Sequence, residues 1–284
     1  MIKSSLQKAM SNDFIKQTAK KLVPVSLHSP ARQLRALITR RSTPRYQAWY
    51  YDLWPVLQCD IAYNKFGGYC VPLSSRQRIA SQVVLWGDVF EPQTIDFIVK
   101  HVNDGDVIHA GAFFGDFLPA LSRACANSCK IWAFEPEAEN YRCAAITILI
   151  NDLKNVSLVN AALGETSGVG ELVTRDDSGT ALGELSYIRQ HSGPKPLKAA
   201  PVKIVAIDDV IAKDRKITVL HLDVEGYEQQ ALTGALATIR RHRPFLILET
   251  LPSQQWFVEN LEPLGYRIDQ RIEHNTLLVS TSIA

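Results

Sequence analysis

The chain has 284 residues, of which 46% are hydrophobic and 21% charged, and its net charge is +2. This composition is ordinary for a soluble globular protein, and the length allows one large α/β domain with an extension. No apolar run is long enough to span a bilayer, and the N-terminus lacks the apolar core of a signal peptide. We therefore expect a cytoplasmic protein with free thiols, and the near-neutral charge predicts no nucleic-acid partner.

The positive charge is concentrated near the N-terminus. Residues 1–47 contain ten basic residues and one acidic residue, a net charge of +9, so the other residues carry −7. Leu6, Met10 and Phe14 recur at helical spacing among lysines, which predicts a short amphipathic basic helix. Two interpretations stay open: a helix that lies on an anionic membrane surface at the inner face of the membrane, or a cap on the main domain.

An aromatic-rich segment follows this basic arm. Residues 46–72 contain eight Tyr, Trp and Phe residues. Such density suits a sugar-stacking pocket, and it is also typical of a small subdomain that packs on a larger one. Gly67-Gly68 predicts the turn of a β-hairpin, and helices are predicted over 77–86 and 92–102. We therefore predict a basic helical and aromatic extension over residues 1–86 and a main domain over residues 87–284.

From residue 104 onward, strands and helices alternate. Apolar runs predict strands at 107–110, 131–134, 156–159, 217–222 and 244–248, followed by a closing antiparallel pair at 266–269 and 276–280. Helical patterns separate the first five strands and include one long helix over 227–241. This alternation indicates a mostly parallel sheet with helices on both faces. Residues 164–201 are long for a connector and predict a functional loop or a small hairpin.

Two features predict a nucleoside site at the carboxyl ends of the first two strands. Gly111 and Gly115 bracket a turn into a helix, where the backbone can approach a ligand and the helix N-terminus favours negative charge. Glu135 ends the second strand, and an acidic residue there can accept hydrogen bonds from both hydroxyls of a ribose. The chain lacks the Gly-x-Gly-x-x-Gly fingerprint of dinucleotide binding, so the pattern favours a nucleoside with a compact polar tail.

An acid-rich stretch follows the fourth predicted strand. Asp223, Glu225 and Glu228 lie within six residues, directly after the apolar run 217–222. Carboxylates this close repel one another unless a cation, a donor-rich ligand or solvent neutralises them. Because ligands of open α/β sheets bind at the carboxyl ends of the strands, we predict that this stretch forms the floor of an active site.

Five motifs, taken in chain order, resemble those of one known family. They are the glycine turn, Phe-Glu-Pro (134–136), Asn-Ala-Ala-Leu-Gly (160–164), Leu-Asp-Val-Glu-Gly-Tyr-Glu (222–228) and Arg-Pro-Phe-Leu-Ile-Leu-Glu (243–249). The chain resembles the FkbM family of S-adenosylmethionine-dependent methyltransferases over residues 87–279. The resemblance implies a class I methyltransferase fold, which is a Rossmann-like, mostly parallel seven-stranded sheet with helices on both faces. It also implies S-adenosylmethionine as the cofactor and, usually, methylation of a sugar or polyketide hydroxyl.

The resemblance also implies roles for individual residues. The cofactor would be bound by six residues: Gly111, Ala112 and Gly115 near its methionine part, Glu135 at the ribose, and Asn160 with Ala161 beside the adenine. Asp223, Glu225 and Glu228 would face the methyl acceptor and supply the catalytic groups. From the residues alone, Asn160 is equally well a turn-forming cap, and the two glutamates could instead cap backbone donors at a helix start.

The chemistry of methyl transfer leaves two roles open for the acids at the strand ends. Asp223 could be the general base that takes the hydroxyl proton of the acceptor. Alternatively, Asp223 and Glu249, which end neighbouring strands, could hold a Mg²⁺ ion that acidifies this hydroxyl. Either role would serve an O-methyltransferase.

The sequence therefore predicts an S-adenosylmethionine-dependent O-methyltransferase that acts on a sugar hydroxyl of a glycan or glycolipid. The glycan assignment depends on the habit of the family, the aromatic segment and the basic arm. Methylation of a secondary-metabolite hydroxyl is the alternative reaction. His109 and Phe113 stand where the family usually has an acidic residue and an asparagine, so an inactive cofactor-binding scaffold is a further alternative. We predict that His109 and His221 are buried core histidines.

Overall fold

The computed structural model describes residues 56–102, 104–125, 129–173, 187–188 and 199–281. Thirteen strands lie in these ranges: β1 Cys59–Asn64, β2 Gly67–Pro72, β3 Asp106–Ala110, β4 Ile131–Phe134, β5 Val156–Val159, β6 Ala162–Leu163, β7 Gly168–Val173, β8 Tyr187–Ile188, β9 Ala199–Val205, β10 Ile217–Leu222, β11 Phe245–Leu248, β12 Tyr266–Ile272 and β13 Asn275–Ser280. The α-helices of the same ranges are α1 Ile79–Leu85, α2 Pro92–His101, α3 Leu118–Ala124, α4 Ala138–Ile150, α5 Ile207–Val210, α6 Glu228–Thr233, α7 Leu236–His242 and α8 Gln254–Asn260. The basic helix predicted within residues 1–47 lies outside the described residues.

The main sheet has seven strands in the order β12-β13-β11-β10-β3-β4-β5. The five central strands from β11 to β5 are parallel, and β12 and β13 form an antiparallel pair at one edge. The predicted parallel sheet and its closing antiparallel pair are confirmed. In the register of β3 and β10, His109 lies opposite His221 and Ala110 lies opposite Leu222.

Alternate strand residues pack into two hydrophobic cores, one on each face of the sheet. Ile108, Leu220 and Leu246 belong to the core that is completed by residues of α6 and α7. Val107, Val219 and Ile247 belong to the core that is completed by residues of α2 and α3. This period of two follows from the pleat of a strand, and burial of both faces explains why these strands are mostly apolar. Among the described helices, none combines the length and the apolar character needed to cross a bilayer.

The predicted hairpin is formed by β1 and β2, but its turn lies at residues 65–66 rather than at Gly67-Gly68. Both glycines begin β2, because α4 approaches there too closely for a side chain. A Cβ on Gly67 would lie 1.9 Å from Oδ1 of Asn151. The Asn151 side chain accepts a hydrogen bond from the N–H of Gly68 (3.0 Å) and donates one to its carbonyl (2.6 Å). Whether residues 1–86 form a separate domain stays a prediction.

The prediction of a single helix over 227–241 is wrong, because the chain forms two helices, α6 and α7, that are separated at Gly234. A Cβ on Gly234 would lie 2.0 Å from the carbonyl oxygen of Gly164. The Gly234 carbonyl accepts a hydrogen bond from the N–H of Asp208 at 2.9 Å. The break therefore comes from close packing against distant segments, which no local pattern reveals.

A second sheet of four strands, made of β6 to β9, includes the described part of residues 164–201 and the residues on either side of it. Its order is β6-β9-β7-β8, and β7 pairs with β9 in antiparallel register. The predicted small hairpin is confirmed in this form. Ala162, Leu172, Ile188 and Val202 make a small apolar core beneath it. Leu172 and Ile188 also form part of the wall of the cavity described next.

Candidate active site

A cavity opens at the carboxyl ends of the central parallel strands. The residues that line it include Gly111, Phe113, Glu135, Ala161, Asp223 and Glu249. The first two follow β3, the next two follow β4 and β5, and the two acids follow β10 and β11. The turns after parallel strands meet at one edge of a sheet, and in open α/β folds this edge binds ligands.

The glycine turn after β3 is shaped by the neighbouring strands. Gly111 has a φ of +82°, and a Cβ on it would lie 1.9 Å from the carbonyl oxygen of Asp223. The N–H groups of Gly111 and Ala112 both donate to the carbonyl of Phe134, each at 3.1 Å. Ala112 is buried in the hydrophobic core, and Gly115 faces α4. Of the three residues predicted here for the cofactor, Gly111 lines the cavity and the other two form the turn that supports it.

Glu135 is a buried carboxylate that is oriented by backbone donors. Its Oε2 accepts from the N–H of Phe113 at 2.8 Å, and its Oε1 accepts from the N–H of Glu137 at 2.9 Å. Burial raises the pKa of Glu135 to about 8, although these hydrogen bonds lower it in part. Each carboxylate oxygen can accept more than one hydrogen bond. The side chain therefore keeps capacity for the hydroxyls of a ligand in the cavity.

The two residues predicted beside an adenine have different positions. Asn160 is exposed, and its Nδ2 donates to the carbonyls of Glu135 at 2.8 Å and Pro136 at 3.1 Å. This geometry favours the turn-forming interpretation of Asn160, which holds the loop that carries Glu135. Ala161 is fully buried and lines the cavity. A small side chain there leaves room for a flat ring.

Three acids converge on the opposite side of the cavity. Asp223, Glu225 and Glu249 each offer a carboxylate oxygen, and these oxygens lie within 4.8 Å of one another. Burial, and then the neighbouring carboxylate of Glu249, raise the pKa of Asp223 well above its ordinary value. Carboxylate oxygens are the ligands that Mg²⁺ prefers, so the donor set fits this ion. The predicted pair of Asp223 and Glu249 thus gains Glu225 as a third donor.

Glu228, predicted on the acceptor side, lies beneath the turn instead. It is buried, and its Oε1 accepts from the N–H of Val224 at 3.1 Å. Burial raises the pKa of Glu228 to about 7. Its contacts are those of a carboxylate that caps the turn into α6, which was the alternative interpretation of this residue.

Sequence reasoning missed two acids of the cavity and underestimated two histidines. Glu91 precedes α2, is 7% exposed and lines the cavity. Asp116, which directly follows the glycine turn, lines it too. His109 and His221 are buried, as predicted for core histidines, but both also line the cavity. The dipeptide Glu91-Pro92 parallels Glu135-Pro136, yet it follows no strand. No local signal therefore distinguished Glu91 from an ordinary residue at a helix start.

The fold and the site together define a class of protein. The chain has three features of a class I methyltransferase. They are a seven-stranded, mostly parallel sheet with an antiparallel pair at one edge, a glycine turn after the central strand, and an acidic residue after the next strand. A family model described as the methyltransferase FkbM domain matches residues 109–276, which is more than half of the chain. The chain belongs to the FkbM methyltransferase family.

Solved structures of methyltransferases resemble the chain at low sequence identity. A methyltransferase FkbM from Methylobacillus flagellatus is 19% identical with a TM-score of 0.40, and the match covers 62% of this chain and 43% of that chain. A SAM dependent methyltransferase from Aquifex aeolicus is 14% identical with a TM-score of 0.37, and the match covers 66% and 89%. The chain thus spans less than half the length of the Methylobacillus protein. A comparison with curated proteins gives no match.

Proposed function

We propose that this FkbM-family chain transfers a methyl group from S-adenosylmethionine to a hydroxyl, in a sugar of a glycan or glycolipid. One observation carries the proposal: Glu135 and the acids Asp223, Glu225 and Glu249 face one cavity from opposite sides. Glu135 suits the ribose of a nucleoside cofactor, and the three other acids suit an acceptor hydroxyl that must lose its proton. Methylation of a secondary-metabolite hydroxyl would use the same groups.

The residues around the cofactor side fit S-adenosylmethionine. Glu135 can accept hydrogen bonds from ribose hydroxyls, and Ala161 leaves space for the adenine. Gly111 brings the backbone to the cavity without a side chain. When bound, the sulfonium of this cofactor supplies an already activated methyl group. The protein must then align the acceptor oxygen and exclude water. The apolar side chains of Leu172 and Ile188 on the small sheet serve the exclusion of water.

Asp223 is the residue that we propose as the proton acceptor. Its pKa is raised by burial and by Glu249, so its ionised form takes up a proton more readily than an ordinary carboxylate. If Mg²⁺ is present, Asp223, Glu225 and Glu249 would hold it. The ion would then lower the pKa of a nearby hydroxyl. The two versions differ in one measurable property, which is the effect of a chelator on the rate.

Calorimetry with S-adenosylmethionine and S-adenosylhomocysteine tests the cofactor assignment, and we expect both to bind. If neither compound binds at high micromolar concentration, the methyltransferase proposal for this chain is wrong. Turnover is then measured across a panel of sugar glycosides and of secondary-metabolite alcohols, each with Mg²⁺ and with EDTA. Binding without turnover on the whole panel would favour an inactive scaffold.

Replacement of Asp223 separates catalysis from cofactor binding. In Asp223→Asn we expect kcat to fall by about 10²–10⁴-fold, the range for loss of a general base, with an unchanged affinity for S-adenosylhomocysteine. Glu262→Gln, at the start of the 3-10 helix Glu262–Leu264, is the matched control. A normal kcat in Asp223→Asn would assign the proton to another group.

We also propose that the basic arm brings the enzyme to an anionic membrane surface on the cytoplasmic side. Its net charge of +9 supports this, because each basic residue near such a surface contributes about 1 kcal/mol of attraction. A lipid-linked acceptor would be presented at the same surface.

A further inference from the structure

Two histidines at the floor of the cavity share one hydrogen bond. His109 on β3 and His221 on β10 lie opposite each other, and their Nδ1 atoms are 2.9 Å apart. The side chains are 2% and 1% exposed. Both rings stack on Phe117, with centroids 5.1 and 5.3 Å away. The pair is thus fixed in position, and it lines the cavity.

The hydrogen bond between the two Nδ1 atoms determines whether the Nε2 atom of each ring is a donor or an acceptor. One Nδ1 must carry the proton and the other must accept it. A neutral imidazole carries one N–H, so one ring has a bare Nε2 and the other has an Nε2–H. Burial lowers the pKa of both rings, to about 4 for His221, which keeps the pair neutral.

Asn275 on β13 indicates which ring carries which tautomer. Its Nδ2 donates to Oε2 of Glu91 at 2.7 Å, which leaves Oδ1, an acceptor, as the atom that can meet the neighbouring His221. Nε2 of His221 and Oδ1 of Asn275 both lack a hydrogen-bond partner among the described residues. An Nε2–H on His221 would be a donor that this Oδ1 can accept, so we assign that tautomer to His221. His109 then donates through Nδ1 and has the bare Nε2. Within the described residues, this Nε2 has no hydrogen-bond partner.

An unpartnered acceptor that is buried beside a cavity suggests a ligand. Leaving such an atom without a partner costs free energy, and native structures rarely do so. The carboxylate of Glu91 lines the same cavity, and it lies close enough to Asp223 to contribute to the raised pKa of that residue. Phe90 and His274, which stack at 6.3 Å between centroids, also line this part of the cavity. The site thus combines hydrogen-bond acceptors with a flat ring surface.

We propose that Nε2 of His109 and the carboxylate of Glu91 bind two neighbouring hydroxyls of the acceptor, next to the hydroxyl that Asp223 deprotonates. The ligand class is a vicinal polyol, such as a sugar ring. An ionised carboxylate group offers no proton to the bare Nε2, and any anion is repelled by the acids that line the cavity, which include Glu91, Asp223 and Glu249. The stacked Phe90 and His274 suit the apolar face of such a ring. This inference rests on the proposed function and specifies its acceptor.

Small cyclic alcohols test the subsite without knowledge of the natural acceptor. The imidazole nitrogen shifts of the ¹⁵N-histidine-labelled full-length chain are recorded, with trans-1,2-cyclohexanediol as the probe and cyclohexanol as the matched control. We expect His109 to show a bare Nε2 and His221 an Nε2–H. The diol should shift the His109 Nε2 resonance in a saturable way, and cyclohexanol should bind at least about fivefold more weakly, since it lacks one hydrogen bond.

Paired variants test the role of Glu91. Glu91→Gln should weaken diol binding by about fivefold, because a hydrogen bond to a charged acceptor is stronger than one to an amide. Glu273→Gln is the control, since Glu273 also accepts from a neighbour, the N–H of Thr94 at 2.9 Å. Thermal unfolding of each variant shows whether it is folded.

Three results would overturn the subsite. They are an unchanged His109 Nε2 resonance at the highest soluble diol concentration, equal binding of cyclohexanol, or a response to cyclohexylamine in place of the diol. The last would mean that the site takes a cation. Calorimetry with S-adenosylhomocysteine reports separately on the proposed function. Diol binding without cofactor binding would support the subsite and count against the methyltransferase proposal alone.

Discussion

At the residue scale, Glu135, which we propose as the ribose contact, is tied to the glycine turn by its hydrogen bonds. Its two oxygens hold the N–H groups of Phe113 and Glu137, so the carboxylate is oriented before any ligand arrives. Orientation in advance lowers the entropy cost of binding. A mutation at this position would therefore remove the support of the turn together with the proposed ribose contact.

Glu135→Ala should weaken binding of S-adenosylhomocysteine by about 1–3 kcal/mol, the cost of losing hydrogen bonds to a buried carboxylate. Calorimetry measures the change. Glu259→Ala on the exposed side of α8 is the control and should bind as the unmodified chain does. An unchanged affinity in Glu135→Ala would mean that the ribose is held elsewhere.

Glu228 predicts a pH dependence of stability. Because burial raises its pKa from an ordinary value near 4.5 to about 7, the folded state holds its proton more tightly than the unfolded state does. The contribution of this group to the free energy of unfolding is fully present at low pH, and it is lost as the pH rises through about 7. The loss amounts to about 2–3 kcal/mol between pH 5 and pH 8, because a tenfold difference in proton affinity between the two states corresponds to roughly 1.4 kcal/mol.

Glu228→Gln removes this titration. Urea unfolding at pH 5 and pH 8, with EDTA present, should show that the variant gains about 2–3 kcal/mol relative to the unmodified chain as the pH rises. Glu259→Gln serves as the matched control. If the unmodified chain and Glu228→Gln lose stability in parallel, the carboxyl of Glu228 keeps its ordinary pKa in the folded state.

At the element scale, the turn after β3 joins three strands. Gly111 and Ala112 donate to the end of β4, and the carbonyl of Asp223 after β10 occupies the space that a Cβ on Gly111 would need. One short loop therefore positions both the Glu135 side and the acid side of the cavity. This dependence makes the glycine a structural requirement of the site.

Two glycine substitutions separate backbone strain from steric conflict. Gly111 and Gly226 have similar φ angles of +82° and +85°, but a Cβ on Gly226 meets no described atom within 4 Å. Gly226→Ala should cost about 1–2 kcal/mol from its left-handed backbone. Gly111→Ala should cost several kcal/mol more, because β3 and β10 must separate. Urea unfolding measures both, and equal losses would show that the sheet yields easily around Gly111.

At the scale of the whole molecule, the charge is divided between the basic arm and an acidic remainder. The full-length chain should bind vesicles that contain phosphatidylglycerol, and it should bind vesicles of phosphatidylcholine much more weakly, because the attraction is electrostatic. Added salt should weaken the binding. Deletion of residues 1–47 should abolish vesicle binding and leave the affinity for S-adenosylhomocysteine unchanged. Co-sedimentation measures the first property and calorimetry the second. If the full-length chain does not bind anionic vesicles, the arm has another role.

The parts of the fold that are encoded locally could be predicted from the sequence. Apolar runs of strand length marked each central strand, and the alternation with helices indicated a parallel sheet. The residues after the strands marked the cavity edge, because in such sheets the carboxyl ends come together. Asp223 and Glu249 were placed as neighbours for this reason, and their carboxylate oxygens do lie together.

Contacts between distant segments could not be predicted in this way. Gly234 breaks a helix because Gly164 packs against it, and Glu91 enters the cavity because Asn275, 184 residues away, holds its carboxylate. His109 and His221 are 112 residues apart in sequence, and the residues around neither histidine indicate that the two side chains form a hydrogen bond. Each arrangement depends on which elements the fold brings side by side.

The sequence by itself determined the strands, the glycine turn, the position of Glu135 and the family, because these depend on short runs of residues. The tertiary structure alone decided which acids share a cavity, which glutamate only caps a turn, and which nitrogen of a histidine pair is left without a partner. Hydrogen bonds and burial are properties of neighbours in space, and the pairing of β3 with β10 is what creates those neighbours.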